Sequence, residues 1–279
     1  MNDYDLFKLL QQAQEKGEDV ALATVVRTQG SVPRHAGSKM IVWLGGRIAG
    51  TVGGGMLESK VIEAAQQVIA TARPDLLTYR MNDMAAGDVG VCGGTVEVFI
   101  EPMLPPPTVL VIGCGHVGKE VAALAKWVGY RVLVSDDRAD LCTPSHIPDM
   151  DGYYVTPAAE LAKHIPITSQ TYVAAMTRGQ TVDVELLPVL LASPARYIGL
   201  IGSRRRWALT AEAMRQAGFS DEQLARVHAP VGLELRAETP REIAVSVVAE
   251  IIMVQHGGDG RSMRWLDTQE PAAGQDRGS

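Results

Sequence analysis

The stretch Gly113-Cys114-Gly115-His116-Val117-Gly118 decides how the chain folds. It is a complete G-x-G-x-x-G, set between a β-branched apolar run, Thr108 to Ile112, and a helical pattern from Lys119 to Val128. In that setting each glycine has a physical task. Gly113 permits the tight turn, Gly115 lets a phosphate approach the backbone, and Gly118 lets helix and strand pack closely. The turn also leaves amides at the positive end of a helix, so an anion is expected there. Asp136 or Asp137 ends the next strand, roughly 20 residues on, where a carboxylate would accept hydrogen bonds from a ribose diol. His116 is a bulky ring inside the loop, and it either faces a ligand, as a donor or a group titrating near neutral pH, or sits on the surface at the helix start.

Working outward towards the C-terminus, strands and helices alternate: Thr108–Ile112, Lys119–Val128, Tyr130–Ser135, Thr171–Met176, Asp183–Leu191, Tyr197–Ile201 and Arg204–Ala217. Such alternation predicts a Rossmann-like, doubly wound parallel sheet. The last helix is announced by Thr239, Pro240 and Glu242, a capping box with proline at the first helical position, ahead of the apolar run Ile243 to Val254. Towards the N-terminus, Pro102 and Pro105-Pro106-Pro107 read as a stiff linker. Residues 1–103 then form one α/β domain, 108–258 a second, and 259–279, polar and rich in Gly, Asp and Arg, a disordered tail.

The first domain has its own glycine punctuation. An amphipathic helix, Tyr4 to Lys16, is closed by Gly17 and followed by a strand, Val20 to Arg27. Lys39–Leu44 turns at Gly45-Gly46 into Arg47–Val52 as a hairpin. A helix covers Met56 to Thr71, and Leu76–Arg80 and Thr95–Ile100 are strands. Three loops carry glycines at strand ends: Gly30-Ser31-Val32-Pro33-Arg34; Gly53-Gly54-Gly55 with Glu58; and Cys92-Gly93-Gly94. Backbone there must bend sharply or admit a ligand. Gly53 to Gly55 precede a helix and offer free amides, Arg34 adds a guanidinium fork, and a Cys92 thiolate suits a soft metal or the carriage of sulfur. A further anion candidate is Ser203 with Arg204-Arg205-Arg206, because cations at a helix start oppose its dipole unless an anion is bound.

Composition removes other function classes. The net charge of −6 argues against a nucleic-acid partner, which requires a basic face. No apolar run approaches the ~18–20 residues of a membrane span. The start, Met1-Asn2-Asp3-Tyr4-Asp5, lacks a basic, apolar leader, so a cytoplasmic location is expected. Cys92, Cys114 and Cys142 are far apart and odd in number, which supports neither disulfides nor a zinc site; Cys114 and Cys142 read as structural. A homodimer is the expected assembly, twofold symmetry being the commonest among soluble oligomers.

Taken in order, Ala23 to Arg34, Gly50 to Glu58, Cys92-Gly93-Gly94, Gly113 to Gly118, Asp136-Asp137-Arg138, Ile201-Gly202-Ser203 and Glu238 to Ala244 resemble the XdhC/CoxI family of molybdenum-hydroxylase accessory proteins over nearly the whole chain. The resemblance implies binding of the molybdenum cofactor (molybdopterin). It also implies delivery of that cofactor, in sulfurated form, to a xanthine or carbon-monoxide dehydrogenase-like apoenzyme, with a cysteine desulfurase as a further partner. On this reading Gly30, Ser31, Arg34, Gly53, Gly54, Gly55, Glu58, Cys92, Gly93, Gly113, Gly115, His116, Gly118, Asp136 and Ser203 bind the cofactor, and Cys92 meets its metal. Two positions depart from the family. Met56 stands where many relatives have Cys, and Thr177 to Asp183 lacks a His that many carry. The alternative is an NAD(P)-dependent oxidoreductase using the Rossmann domain, for which the sequence nominates only His116 as acid or base.

Overall fold

The computed structural model describes residues 2–81 and 93–263. Two sheets organise it. The first has the order β3-β2-β1-β5-β4, all antiparallel, built from β1 (Val20–Gln29), β2 (Lys39–Trp43), β3 (Ile48–Gly50), β4 (Asp75–Met81) and β5 (Gly94–Met103). Alternation along β1 sets its two faces. Ala21, Ala23 and Val25 pack under α2 (Gly55–Thr71) with Leu57, Val61 and Val68, while Val20 and Leu22 pack under α1 (Asp3–Glu15) with Leu6 and Leu10. The β2–β3 hairpin turns on Gly45 and Gly46, both at positive φ.

In the first sheet the proline linker begins later than the sequence suggests. Pro102 belongs to β5, opposite Ala21 of β1, and is not part of the linker. β4 stops at Asp75 opposite Ile100, so Pro102 lies past the end of that neighbour, where a missing N–H breaks no ladder bond on the β4 side.

The second sheet is wholly parallel, in the order β8-β7-β6-β9-β10-β11. Its strands are β6 (Thr108–Ile112), β7 (Arg131–Asp136), β8 (Gly152–Val155), β9 (Thr171–Ala175), β10 (Tyr197–Leu200) and β11 (Val227–His228). In chain order this is 3-2-1-4-5-6, the Rossmann arrangement. Helices α3 (His116–Val128) and α8 (Pro240–His256) cover one face through Val121, Ala125, Val247 and Ile251. The other face carries α4 (Leu161–His164), α5 (Gln180–Leu191) and α6 (Arg204–Gln216), through Leu161, Leu186, Leu190 and Met214. A short helix, α7 (Asp221–Leu224), precedes β11. Fully burying such side chains contributes roughly 1.5–3 kcal/mol each, so the sheet's two faces dominate its stability. The Thr239–Glu242 capping box that starts α8 is formed as expected. Among the described residues no helix is long and apolar enough to cross a membrane.

Candidate functional site

The three glycine-marked loops of the first sheet meet at one end of it. A side chain on Gly30 would collide with the Gly93 carbonyl at 2.8 Å, and one on Gly94 with the Ser31 carbonyl at 2.3 Å. One on Gly53 would meet Pro33 at 2.9 Å. Backbones separated widely in sequence therefore approach as closely as backbones can, which is why glycine is required. Gly54 and Gly55 face open space, both at positive φ, and Gly54 precedes α2 without any side-chain cap. The Gly53 amide donates to Thr51 Oγ1 at 3.2 Å, and that hydroxyl donates to Glu58, so Glu58 holds the loop from behind.

Arg34 is exposed on the rim of an open groove of about 680 Å³ that it shares with Ser38, Lys39, Gly50 and Thr51. It has no acidic partner among the described residues, whereas Lys39 is tied to Asp3 at 3.5 Å. Ser31 is exposed nearby. Cys92, placed beside Gly93 by the chain, lies outside the described residues.

In the second sheet, the glycine loop takes the shape its sequence requires. A side chain on Gly113 would strike the Met176 carbonyl at 2.4 Å, and one on Gly118 the Gly113 carbonyl at 1.8 Å, but one on Gly115 would meet nothing within 4 Å. The space over Gly115 is thus open while its neighbours are locked. His116 occupies the first helical position of α3 and is exposed. Cys114 and Cys142 are buried beneath the loop in the core shared with α8.

Asp136 is buried at the end of β7 and accepts four hydrogen bonds. They come from the Cys114 amide (2.7 Å), the Arg138 amide (3.0 Å), and Arg138 Nε and Nη2 (both 2.9 Å). Burial opposes its ionisation, but the Arg138 and backbone hydrogen bonds outweigh this and lower its pKa. A carboxylate has about four lone-pair sites, so Asp136 is saturated as a latch on the glycine loop. Its neighbour Asp137 forms a bidentate pair with Arg178 at 2.6 and 2.8 Å, and those hydrogen bonds bring its pKa down to about 2. Together these groups wall a crevice of about 300 Å³ over the carboxyl ends of β6, β7 and β9. Sequence reasoning singled out Asp136 but missed Arg178 and the Thr156-Pro157-Ala158 wall, because neither carries a local signal.

The basic run turns out to be divided. Arg206 points inward, where Nε and Nη2 each donate to Asp183 at 2.7 Å and both terminal nitrogens reach the Thr177 carbonyl. Ser203 caps α6, its hydroxyl accepting from the Arg206 amide at 3.2 Å. Arg204 and Arg205 remain exposed. Capping in fact sorts the six helices of twelve residues or more among the described residues. α1, α6 and α8 are capped by Asn2, Ser203 and Thr239, whereas α2, α3 and α5 begin after Gly54, Gly115 and Gly179 with amides no side chain satisfies.

A parallel sheet in this order, with its glycine turn at the first strand and a latched aspartate at the second, defines a Rossmann-type α/β protein carrying an additional antiparallel module. The sequence model described as the XdhC Rossmann domain matches residues 109–251, and that of the XdhC and CoxI family matches 13–80. The chain belongs to the XdhC/CoxI family.

Among its relatives, the uncharacterized protein YqeB of Escherichia coli K12 is 35% identical over 93% of this chain and 48% of its own length. The chain therefore spans about half of that relative. A probable xanthine dehydrogenase subunit of Bacillus subtilis 168 is 23% identical, covering 86% of this chain and 94% of that protein. The molybdenum cofactor insertion chaperone PaoD of E. coli K12 is 24% identical, covering 86% and 84%. A crystal structure of a xanthine dehydrogenase from Bacillus halodurans superposes with a TM-score of 0.49 at 23% identity, covering 92% of this chain and 96% of that one.

Proposed function

We propose that this protein is an accessory factor that binds the molybdenum cofactor and promotes its sulfuration and insertion into a xanthine or carbon-monoxide dehydrogenase-like molybdenum hydroxylase. Family membership and the names of two relatives support the reading. The observation that carries it is the convergence of three glycine-bent loops near an arginine that has no acidic partner among the described residues, a cradle open over Gly54 and Gly55. The cofactor is cargo in this account. Its pterin phosphate rests on the amides that start α2, Arg34 provides the bidentate contact, and Cys92 offers a soft thiolate to the metal or its sulfur. A cysteine desulfurase provides the sulfur, the apoenzyme receives the product, and the chain acts in the cytoplasm as a homodimer. The direct test is to purify the protein from a molybdenum-replete host and assay for an oxidisable, fluorescent pterin; a chain isolated repeatedly without pterin, and unable to take it up, refutes the proposal.

Two variants probe the assignment. Arg34→Ala is expected to weaken cofactor retention about tenfold or more, since a hydrogen-bonded charged contact contributes roughly 1.5–3 kcal/mol. Unchanged retention on an intact fold removes Arg34 from the site. Cys92 should be alkylated rapidly in the free protein and protected when cofactor is bound, because an accessible thiolate is the reactive species. Cys92→Ser should still bind the pterin but fail to activate the target dehydrogenase; activation equal to the parent's makes Cys92 dispensable.

A further inference from the structure

We infer that the crevice of the second sheet is a separate site for a nucleoside diphosphate moiety, with Asp137 rather than Asp136 taking the ribose diol. This goes beyond the cofactor reading and does not rest on it, since the crevice and the loops of the first sheet belong to different sheets. Four observations point the same way. The crevice lies at the switch point of the strand order, between β6 and β9, where open parallel sheets bind ligands. Its volume, about 300 Å³, is at the small end of ligand pockets, which run roughly 300–1,000 Å³, and suits one nucleoside. Its walls are apolar where a base would stack, at Pro157, Ala158 and Val182, and charged where a ribose would follow. Two long helices, α3 and α5, start at Gly115 and Gly179 with uncapped amides and open space above both glycines.

The assignment of the diol follows from counting acceptors. All four lone-pair sites of Asp136 are used within the protein. Asp137 spends two on Arg178, leaves two, and has a side chain 40% exposed. The two aspartates and two arginines cancel in charge, and Glu185 adds a negative group at the wall. A neutral diol therefore fits better than a ribose bearing its own phosphate, and the 5′-diphosphate extends from the ribose towards the amides over Gly115.

Titration calorimetry of the whole chain with ADP tests this, with inorganic pyrophosphate, 2′-deoxy-ADP and NAD as comparisons. ADP should bind one per chain and at least about tenfold tighter than pyrophosphate, and 2′-deoxy-ADP about tenfold weaker than ADP, the loss expected for one hydrogen bond to a charged group. Gly115→Val and Gly179→Leu should each abolish binding while keeping the fold, because neither side chain meets a protein atom at its root. Asp137→Ala should bind ADP and 2′-deoxy-ADP equally. NAD binding tighter than ADP identifies a dinucleotide as the ligand, and equal or weaker binding a free nucleotide; both support the site. Absence of ADP binding, pyrophosphate binding as tightly as ADP, or survival of the 2′-hydroxyl preference in Asp137→Ala overturns the inference.

Discussion

Replacing Gly118 with alanine should cost about 3 kcal/mol or more and melt the second sheet well below the parent, because a methyl group there stands 1.8 Å from the Gly113 carbonyl oxygen. The obstacle is backbone, held by the Gly113 amide's own 2.7 Å bond to the Ser135 carbonyl, so it cannot swing aside as a side-chain tip would. Helix propensity pulls the other way. Alanine is favoured over glycine in a helix by about 1 kcal/mol, and the collision must overcome that before any loss is seen. Gly115→Ala is the control, since its methyl group meets nothing within 4 Å, and it should stay within about 0.5 kcal/mol of the parent. Thermal melts followed by circular dichroism decide the matter. Equal midpoints for the two variants would mean that the helix and the turn can separate without penalty, and the close-packing role assigned to the third glycine would be wrong.

The glycines of this loop show how far sequence reaches. The turn at Gly113 and the close packing at Gly118 were readable because spacing, preceding strand and following helix are all local, and the geometry matches both, while Gly115 has open space above it. The parallel sheet was readable for a similar reason, from the alternation of apolar strand and amphipathic helix. β8 and β11 were missed, being four and two residues long and too short to display a period. In the first sheet, the loops at Gly30, Gly53 and Gly93 were each visible, but their meeting was not, since antiparallel register between β1 and β5 is a property of the fold. Asp136 illustrates the limit most clearly. Its position was predicted, but its four internal hydrogen bonds, which leave Asp137 as the neighbour with free acceptors, depend on where Arg138 folds back.

The basic run Arg204-Arg205-Arg206 was expected to hold an anion, and its innermost member does so within the chain. Asp183 is fully buried, bound by two nitrogens of Arg206 and by the Thr177 hydroxyl, while the Arg206 side chain keeps 21% of its surface in solvent. Removing one partner of such a pair costs about 3–5 kcal/mol, because the other is left charged and unpaired. The difference in burial makes the cost asymmetric. Arg206→Ala strands a carboxylate that has no exposed surface of its own and should fall at the upper end of that range. Asp183→Ala strands a guanidinium that still touches solvent and the Thr177 carbonyl, so it should fall at the lower end. Arg204→Ala and Arg205→Ala, both exposed, should change stability by less than about 0.5 kcal/mol. Urea denaturation of the four variants checks the order. The result also bears on the crevice, for Asp183 and Arg206 grip Thr177, and Thr177 positions Arg178 against Asp137. Asp183→Asn keeps the shape and part of the hydrogen bonding, so it should fold and yet bind ADP more weakly than the parent as the 177–179 loop loosens. If Arg206→Ala proves no more damaging than Arg205→Ala, the inward pair contributes nothing to stability.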